Sequence, residues 1–219
     1  MRGAGFVNAS TERLVLAGPS GALEALRDEA TSTAGTFARG VAVIAHPHPL
    51  FGGTMDNKVV QTLARAFVQC GWSAVRFNFR GVGASVGTYD EGRGELDDLL
   101  AVVGQCAANG PLALAGFSFG SFVTSRAVEA LHGSRKIEKI VLVGTAASRF
   151  QVPPLPLDLH EETLVIHGEH DDTVPLIDVL DWARPQVLPV TVVPGGSHFF
   201  HGQLPLLRSL VVRHLGRVS

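Results

Sequence analysis

Three side chains far apart along the chain, Ser118, Asp171 and His198, have the types and order that nucleophilic catalysis needs. A serine hydroxyl is a weak nucleophile until a neighbouring base takes its proton. Histidine suits that task because its ring titrates near neutral pH. A carboxylate then orients the ring and stabilises the imidazolium. Ser118 stands in Gly116-Phe117-Ser118-Phe119-Gly120, between an apolar run, Leu112 to Ala115, and a helix-like run, Phe122 to Leu131. A strand that reverses into a helix within a few residues crowds its own backbone, and glycines at 116 and 120 relieve that crowding. The turn pushes Ser118 out at the carboxyl end of a strand and the amino end of a helix. There, free backbone N–H groups and the helix dipole favour the negative charge that an attacking serine creates.

The base and the acid come from two later loops. His198 sits between Gly195-Gly196-Ser197 and Phe199-Phe200, and of the nine histidines it is the one in a glycine-rich turn after the last expected strand. Asp171 lies three residues past Gly168 and three before Val174; Asp172 and Glu169 are its competitors. An oxyanion needs donors aimed at it. The N–H of Phe119, next after the nucleophile, supplies one. The second is expected from His46-Pro47-His48-Pro49-Leu50-Phe51, where the prolines cannot donate. That leaves His48, Leu50 or Phe51, with His48 favoured.

These residues need a scaffold that gathers them, and the hydrophobic pattern describes one. Thr11–Leu16 and Leu23–Arg27 read as strands joined by Gly18-Pro19-Ser20-Gly21, with residues 1–10 a loose terminus and Asp28–Thr36 a loop. The continuous apolar run Val41–Ala45 marks a strand covered on both faces. A helix follows, capped by Thr54 or Asp56, with Val59, Val60, Leu63, Ala64 and Phe67 on one face and Gly71 closing it. Trp72–Phe79 is the next strand and Glu95–Ala107 the next helix. Strands at Ile137–Gly144, Thr163–Ile166 and Val187–Val193 alternate with helices at Pro175–Ala183 and Leu204–Leu215. Strands alternating with helices predict right-handed crossovers and a mostly parallel central sheet flanked by helices, with an antiparallel edge hairpin at the N-terminal end. Every chemically interesting cluster falls just after an expected strand, where such sheets gather their chemistry.

At 219 residues the chain suits one domain, residues 1–219, and 46% apolar against 17% charged residues can fill a large core. The formal net charge of −2, with scattered Lys and Arg, argues against a nucleic-acid surface or a polybasic membrane anchor. The first residues lack the continuous apolar segment of a signal peptide, and no apolar run approaches the ~18 residues of a membrane span. Cys70 and Cys106 read as buried thiols inside helices, consistent with a reducing cytoplasm.

Together these pieces resemble the α/β-hydrolase superfamily, specifically small bacterial members without a lid, akin to dienelactone hydrolases and short carboxylesterases. The resemblance rests on His46-Pro47-His48-Pro49, Gly52-Gly53-Thr54-Met55, Phe79-Arg80-Gly81-Val82-Gly83-Ala84-Ser85, Gly116-Phe117-Ser118-Phe119-Gly120, His167-Gly168-Glu169-His170-Asp171 and Ser197-His198-Phe199-Phe200. The order Ser, then Asp, then His is that of the superfamily. The resemblance implies the α/β-hydrolase fold and a serine-triad hydrolase with no cofactor. The sequence departs from the family's usual pattern at His46-Pro47, where many relatives have His-Gly, and at Asn78, where many have Asp; Asn78 reads as structural. The stretch where larger relatives carry a lid spans only Thr145 to Glu162, too short for a cap domain. An open, shallow site is therefore expected, edged by Phe51, Phe117, Phe119 and Phe199 with Leu155 and Leu157. An apolar rim suits an acyl or aryl small-molecule substrate of modest size.

Arg80 could hold a substrate carboxylate or brace its turn through backbone carbonyls. His46-x-His48 and the His167–Asp171 cluster lack the spacing of a zinc helix motif. Glycines 81, 83 and 87 do not spell a dinucleotide fingerprint. The expected activity is hydrolysis of a carboxylic ester by a monomer or homodimer. The alternatives are a catalytically idle binding protein on the same fold, or a thioesterase, amidase or acyltransferase using the same triad. Fold analogy does not separate these.

Overall fold

The computed structural model describes residues 10–30 and 38–216. The expected loose terminus, and most of the loop after Asp28, lie outside the described residues.

Eight strands form one sheet in the order β1-β2-β4-β3-β5-β6-β7-β8. They are β1 (Thr11–Gly18), β2 (Gly21–Asp28), β3 (Val41–Ala45), β4 (Ser73–Phe77), β5 (Leu112–Phe117), β6 (Ile137–Val143), β7 (Thr163–Gly168) and β8 (Val190–Val193). Strands β1 and β2 are antiparallel, closed by Pro19-Ser20 with Gly18 opposite Gly21, and β2 runs antiparallel to β4. From β4 to β8 every pairing is parallel. The helices are α1 (Lys58–Gln69), α2 (Arg93–Cys106), α3 (Phe119–Leu131), α4 (Leu176–Ala183) and α5 (Leu204–Leu215). No cap domain interrupts the stretch between β6 and β7, which holds only a proline-rich loop and one short 3-10 turn.

The strand pattern has two apolar faces, and each gains its own layer of helices. Val43, Ala45, Val75, Leu114 and Leu142 point toward α2, α3 and α4. Their neighbours Ala42, Ile44, Ala74, Ala115 and Val143 point toward α1 and α5. Side chains that alternate across a strand and are apolar on both sides require cover on both sides. The carboxyl ends of β3, β5, β7 and β8 therefore emerge together between the layers.

Several boundaries differ from the sequence reading, each for a local reason. Helix α1 is capped by Asn57, whose Oδ1 accepts the Val59 N–H at 2.9 Å; Thr54 and Asp56 lie ahead of it. Helix α3 starts at Phe119 rather than Phe122, directly after Ser118. Strand β7 continues through His167 and Gly168 because both still pair with β8. Strand β8 starts only at Val190: Val187 has a left-handed φ of 54° and Leu188 N–H turns back to the Ala183 carbonyl. Cys70 is buried at the end of α1, whereas Cys106 is only half-buried.

Candidate active site

The turn between β5 and α3 has no room for side chains at its two glycines. A Cβ on Gly116 would lie 2.3 Å from the Gly120 carbonyl oxygen, and one on Gly120 would lie 2.4 Å from the Ala45 carbonyl oxygen. Ser118 itself adopts φ 57°, ψ −118°, a conformation that costs a non-glycine residue on the order of 1–3 kcal/mol and must be imposed by its surroundings. The imposing contacts are visible. Ser118 N–H donates to the Val143 carbonyl at 2.8 Å, and the Ser121 hydroxyl lies 2.8 Å from the Gly116 carbonyl and accepts the Val143 N–H at 3.1 Å. The Ser118 side chain makes no capping bond to its own helix, so its hydroxyl is left for another partner.

That partner is His198, whose Nε2 lies 3.0 Å from Ser118 Oγ. On the other side of the ring, Nδ1 lies 2.7 Å from Asp171 Oδ2. All three residues are buried. Asp171 Oδ1 accepts the N–H groups of Thr173 at 3.0 Å and Val174 at 2.7 Å, which fixes the carboxylate edge-on to the imidazole. Burial works against ionising Asp171, but the His198 hydrogen bond and charge, with the Val174 N–H, outweigh it and hold its pKa below the ordinary value. The competing carboxylates are engaged elsewhere: Glu169 Oε2 accepts the Gly195 N–H at 2.8 Å, and Asp172 is exposed. The imidazole of His198 rests against the Phe117 ring, centroids 4.9 Å apart, which leaves it one orientation.

The oxyanion donors expected from the sequence are backbone N–H groups. Among the described residues the Phe119 N–H, at the first position of α3, has no acceptor. In the loop after β3, Phe51 N–H donates to the His48 carbonyl at 3.1 Å and Leu50 N–H to His48 Nδ1 at 3.2 Å. Of the three candidates only the His48 N–H is left without an acceptor there. The Pro47 carbonyl faces His46 Nδ1 at 2.6 Å, and in a trans peptide the following N–H points the opposite way. His46 is fully buried; its Nε2 accepts the Phe79 N–H at 3.0 Å, so Nδ1 carries the proton. Burial pushes the ring's pKa down to about 4, keeping it neutral. With proline at position 47, the His48 N–H still stands open among the described residues.

The structure redistributes the remaining expected residues. Arg80 is not presented to a substrate: its backbone N–H and its Nε both donate to Asp98 Oδ2 at 3.0 Å, and Nη2 donates to Asp98 Oδ1 at 2.8 Å. A buried bidentate pair of this kind braces the β4–α2 connection. Phe117 and the Phe119 side chain are wholly buried instead of forming a rim, Phe117 under the His198 ring and Phe119 against His48, Tyr89 and Phe150, and Leu155 is buried as well. Phe51, 84% exposed, and Phe199, 42% exposed, do stand at the rim. Asn78 accepts the Met55 N–H and donates to Glu24, a structural position.

One feature escaped the sequence. A cleft of about 850 Å³ is lined by Tyr89, Phe122, Phe150, Pro153 and Pro154, with Arg126 and Arg149 at its edge. The His48 ring touches its wall, 4.8 Å from Tyr89 and 6.0 Å from Phe150. These aromatics come from three separate loops and helices with no shared periodicity, so nothing in the sequence groups them. Among the described residues no group of three or more His, Cys, Asp and Glu side chains is arranged to hold a metal ion, and no helix is long and apolar enough to cross a membrane.

A nucleophile elbow on a mostly parallel sheet, with no lid over it, defines an α/β serine hydrolase. The chain belongs to the family described as serine aminopeptidase, S33, whose model matches residues 38–164. It is 31% identical over 199 residues to an uncharacterized protein of Rickettsia prowazekii (strain Madrid E), RP471, across 84% of this chain and 79% of that protein. Among solved structures it is similar to XC6422 of Xanthomonas campestris, a serine hydrolase without a lid, with a TM-score of 0.82, 35% identity, and 97% and 96% of the two chains covered. An alpha-beta serine hydrolase homologue from Coxiella burnetii gives a TM-score of 0.77, 38% identity and coverage of 97% and 100%.

Proposed function

We propose that the protein hydrolyses a small carboxylic ester through an acyl-enzyme. His198 Nε2 takes the proton of Ser118 as Oγ attacks the ester carbonyl. The tetrahedral oxyanion lies between the N–H groups of Phe119 and His48. His198 returns the proton to the departing alkoxide, and the alcohol leaves. A water then repeats the attack with His198 again as base, and the carboxylic acid leaves. Asp171 keeps the imidazole in the Nδ1–H tautomer and balances the imidazolium charge. The observation that carries this reading is the unbroken line of contacts, Oγ to Nε2 at 3.0 Å and Nδ1 to Oδ2 at 2.7 Å, beneath an open site. The exposed Phe51 and Phe199 and the Tyr89–Phe150 cleft support an acyl or aryl group of modest size. The cysteine count remains the ground for a cytoplasmic setting.

The family name favours a second reading, cleavage of a peptide bond beside a free amino terminus. That chemistry needs a carboxylate for the substrate ammonium; Asp171 and Glu169 are already hydrogen-bonded, and Glu91 and Glu129 in the lining of the Tyr89–Phe150 cleft are the candidates. Treatment with a fluorophosphonate probe is expected to label Ser118 in the native protein and not in Ser118→Ala. Absence of labelling would defeat the hydrolase reading. A panel of short p-nitrophenyl esters, thioesters and amino-acid anilides then separates the classes; faster turnover of the anilides would replace the ester with the peptide.

A further inference from the structure

His167 is a second histidine at the triad's carboxylate, and the catalytic cycle above gives it no task. It is wholly buried and sits on β7, paired with Val192 of β8, while Asp171 lies four residues on, beyond the strand end. Its Nε2 lies 2.9 Å from the Val174 carbonyl oxygen and 3.4 Å from Asp171 Oδ2, the same oxygen that faces His198 Nδ1. A carbonyl only accepts, so Nε2 carries the proton. Its Nδ1 is buried with no partner among the described residues. The opposite tautomer would aim an N–H at nothing and leave the Val174 carbonyl bare, so the ring has one stable state.

We propose that His167 is a positioning residue for the triad's acid: its Nε2–H, donated to the Val174 carbonyl, ties the 171–174 turn to the rigid end of β7, so that Asp171 Oδ2 faces His198. The inference rests on the hydrolase reading above. Two locks then act on one carboxylate. The N–H groups of Thr173 and Val174 hold Oδ1, and His167 holds the Val174 carbonyl and leans on Oδ2. The ionisable groups that face it are Asp171 on its own loop and His198 from the loop after β8. Burial keeps the His167 ring neutral by lowering its pKa, so it donates without placing a second cation beside Asp171. Without the bond to the Val174 carbonyl the 171–174 turn loses its tie to β7, Asp171 Oδ2 parts from His198 Nδ1, and the imidazolium loses its partner.

The test compares His167→Gln, whose amide nitrogen reaches the Nε2 position, with His167→Leu, which has no donor. His167→Met is read in the same way if His167→Leu does not fold. Fluorophosphonate labelling of the full chain is followed against pH, with the urea midpoint recorded beside it. In the donor-free variant the labelling rate is expected to fall about tenfold and its acid limb to move down by about one pH unit, because the imidazolium keeps less of its carboxylate partner. His167→Gln is expected to keep the wild-type limb and a rate within about threefold of wild type. A donor-free variant with the wild-type rate and limb overturns the proposal. So does an equal loss in both variants with an unmoved limb, which is the mark of a space-filling ring. A wild-type protein that is not labelled at all removes the hydrolase reading and this inference with it.

Discussion

Ser118 is held by the close packing of main chains around it, whereas Asp171 and His198 meet through their side chains. Around the serine, two glycines let main chains approach until no methyl group would fit, and a strained φ of 57° is locked by bonds to β6 and the Ser121 hydroxyl. Around the acid and base, the loops after β7 and β8 are tied by polar contacts. Glu169 N–H bonds the Val193 carbonyl at 3.0 Å, His170 N–H the Gly196 carbonyl at 2.8 Å, and His198, Asp171 and His167 meet through ring nitrogens and carboxylate oxygens. The difference suits the roles proposed for each part. A nucleophile must be fixed in place beside its oxyanion donors, which are themselves backbone. A base must change charge during each cycle, so its support must respond to charge. The elbow is therefore sensitive to volume, and the Asp171–His198 pair to electrostatics.

Three experiments press on that contrast. The largest effect is expected from Asp171→Asn, which keeps the shape and removes the charge. Turnover should fall about 10⁴-fold with the fold intact, as loss of the orienting carboxylate does in serine triads. A loss below tenfold in steady-state kinetics would move the acid role to Asp172 or Glu169. Next comes Gly120→Ala, where the added methyl meets the Ala45 carbonyl, a backbone atom that cannot swing aside. Its cost should reach about 3 kcal/mol, the upper end for overpacking, read as a lowered urea midpoint. Gly195→Ala, in the histidine loop, has open space around it and only a left-handed φ of 64° to satisfy, so about 1 kcal/mol is expected. Equal costs at the two glycines would erase the distinction between the regions.

The third experiment is stability against pH. Burial lowers the pKa of His46 to about 4 from 6.5, and it lowers those of His167 and His214 too. As pH drops below 6.5 the unfolded chain takes up these protons before the folded one does, so stability falls between pH 6.5 and about 4. For His46 the loss is at most about 3 kcal/mol. Asp171, held below its ordinary 3.8, adds to the loss only at still lower pH. Urea midpoints at pH 7 and pH 4.5 measure it, and a flat profile would mean that these rings take up protons in the folded chain as readily as in the unfolded one.

Much of this molecule could be read from the chain alone. The elbow announces itself because strand, Gly-x-Ser-x-Gly and helix are contiguous, and their crowding is a local matter. The alternating layers are equally legible, since apolar runs covered on both faces admit few arrangements. Positions such as Arg80 and Phe117 were less so. An arginine after a strand could face substrate or scaffold, and only the distant Asp98, on another helix, decides for scaffold. Phe117 could edge the site or underlie it, and the position of the His198 ring decides.

The sequence by itself determined which side chains could react and that each would emerge at the carboxyl end of a strand, because residue type and hydrophobic period are local properties. Tertiary structure alone decided which acid meets His198, which N–H after β3 stays open, and which aromatics share a cleft. Those are contacts between segments tens of residues apart, and hydrogen bonds of 2.7 to 3.0 Å depend on angles that no spacing encodes.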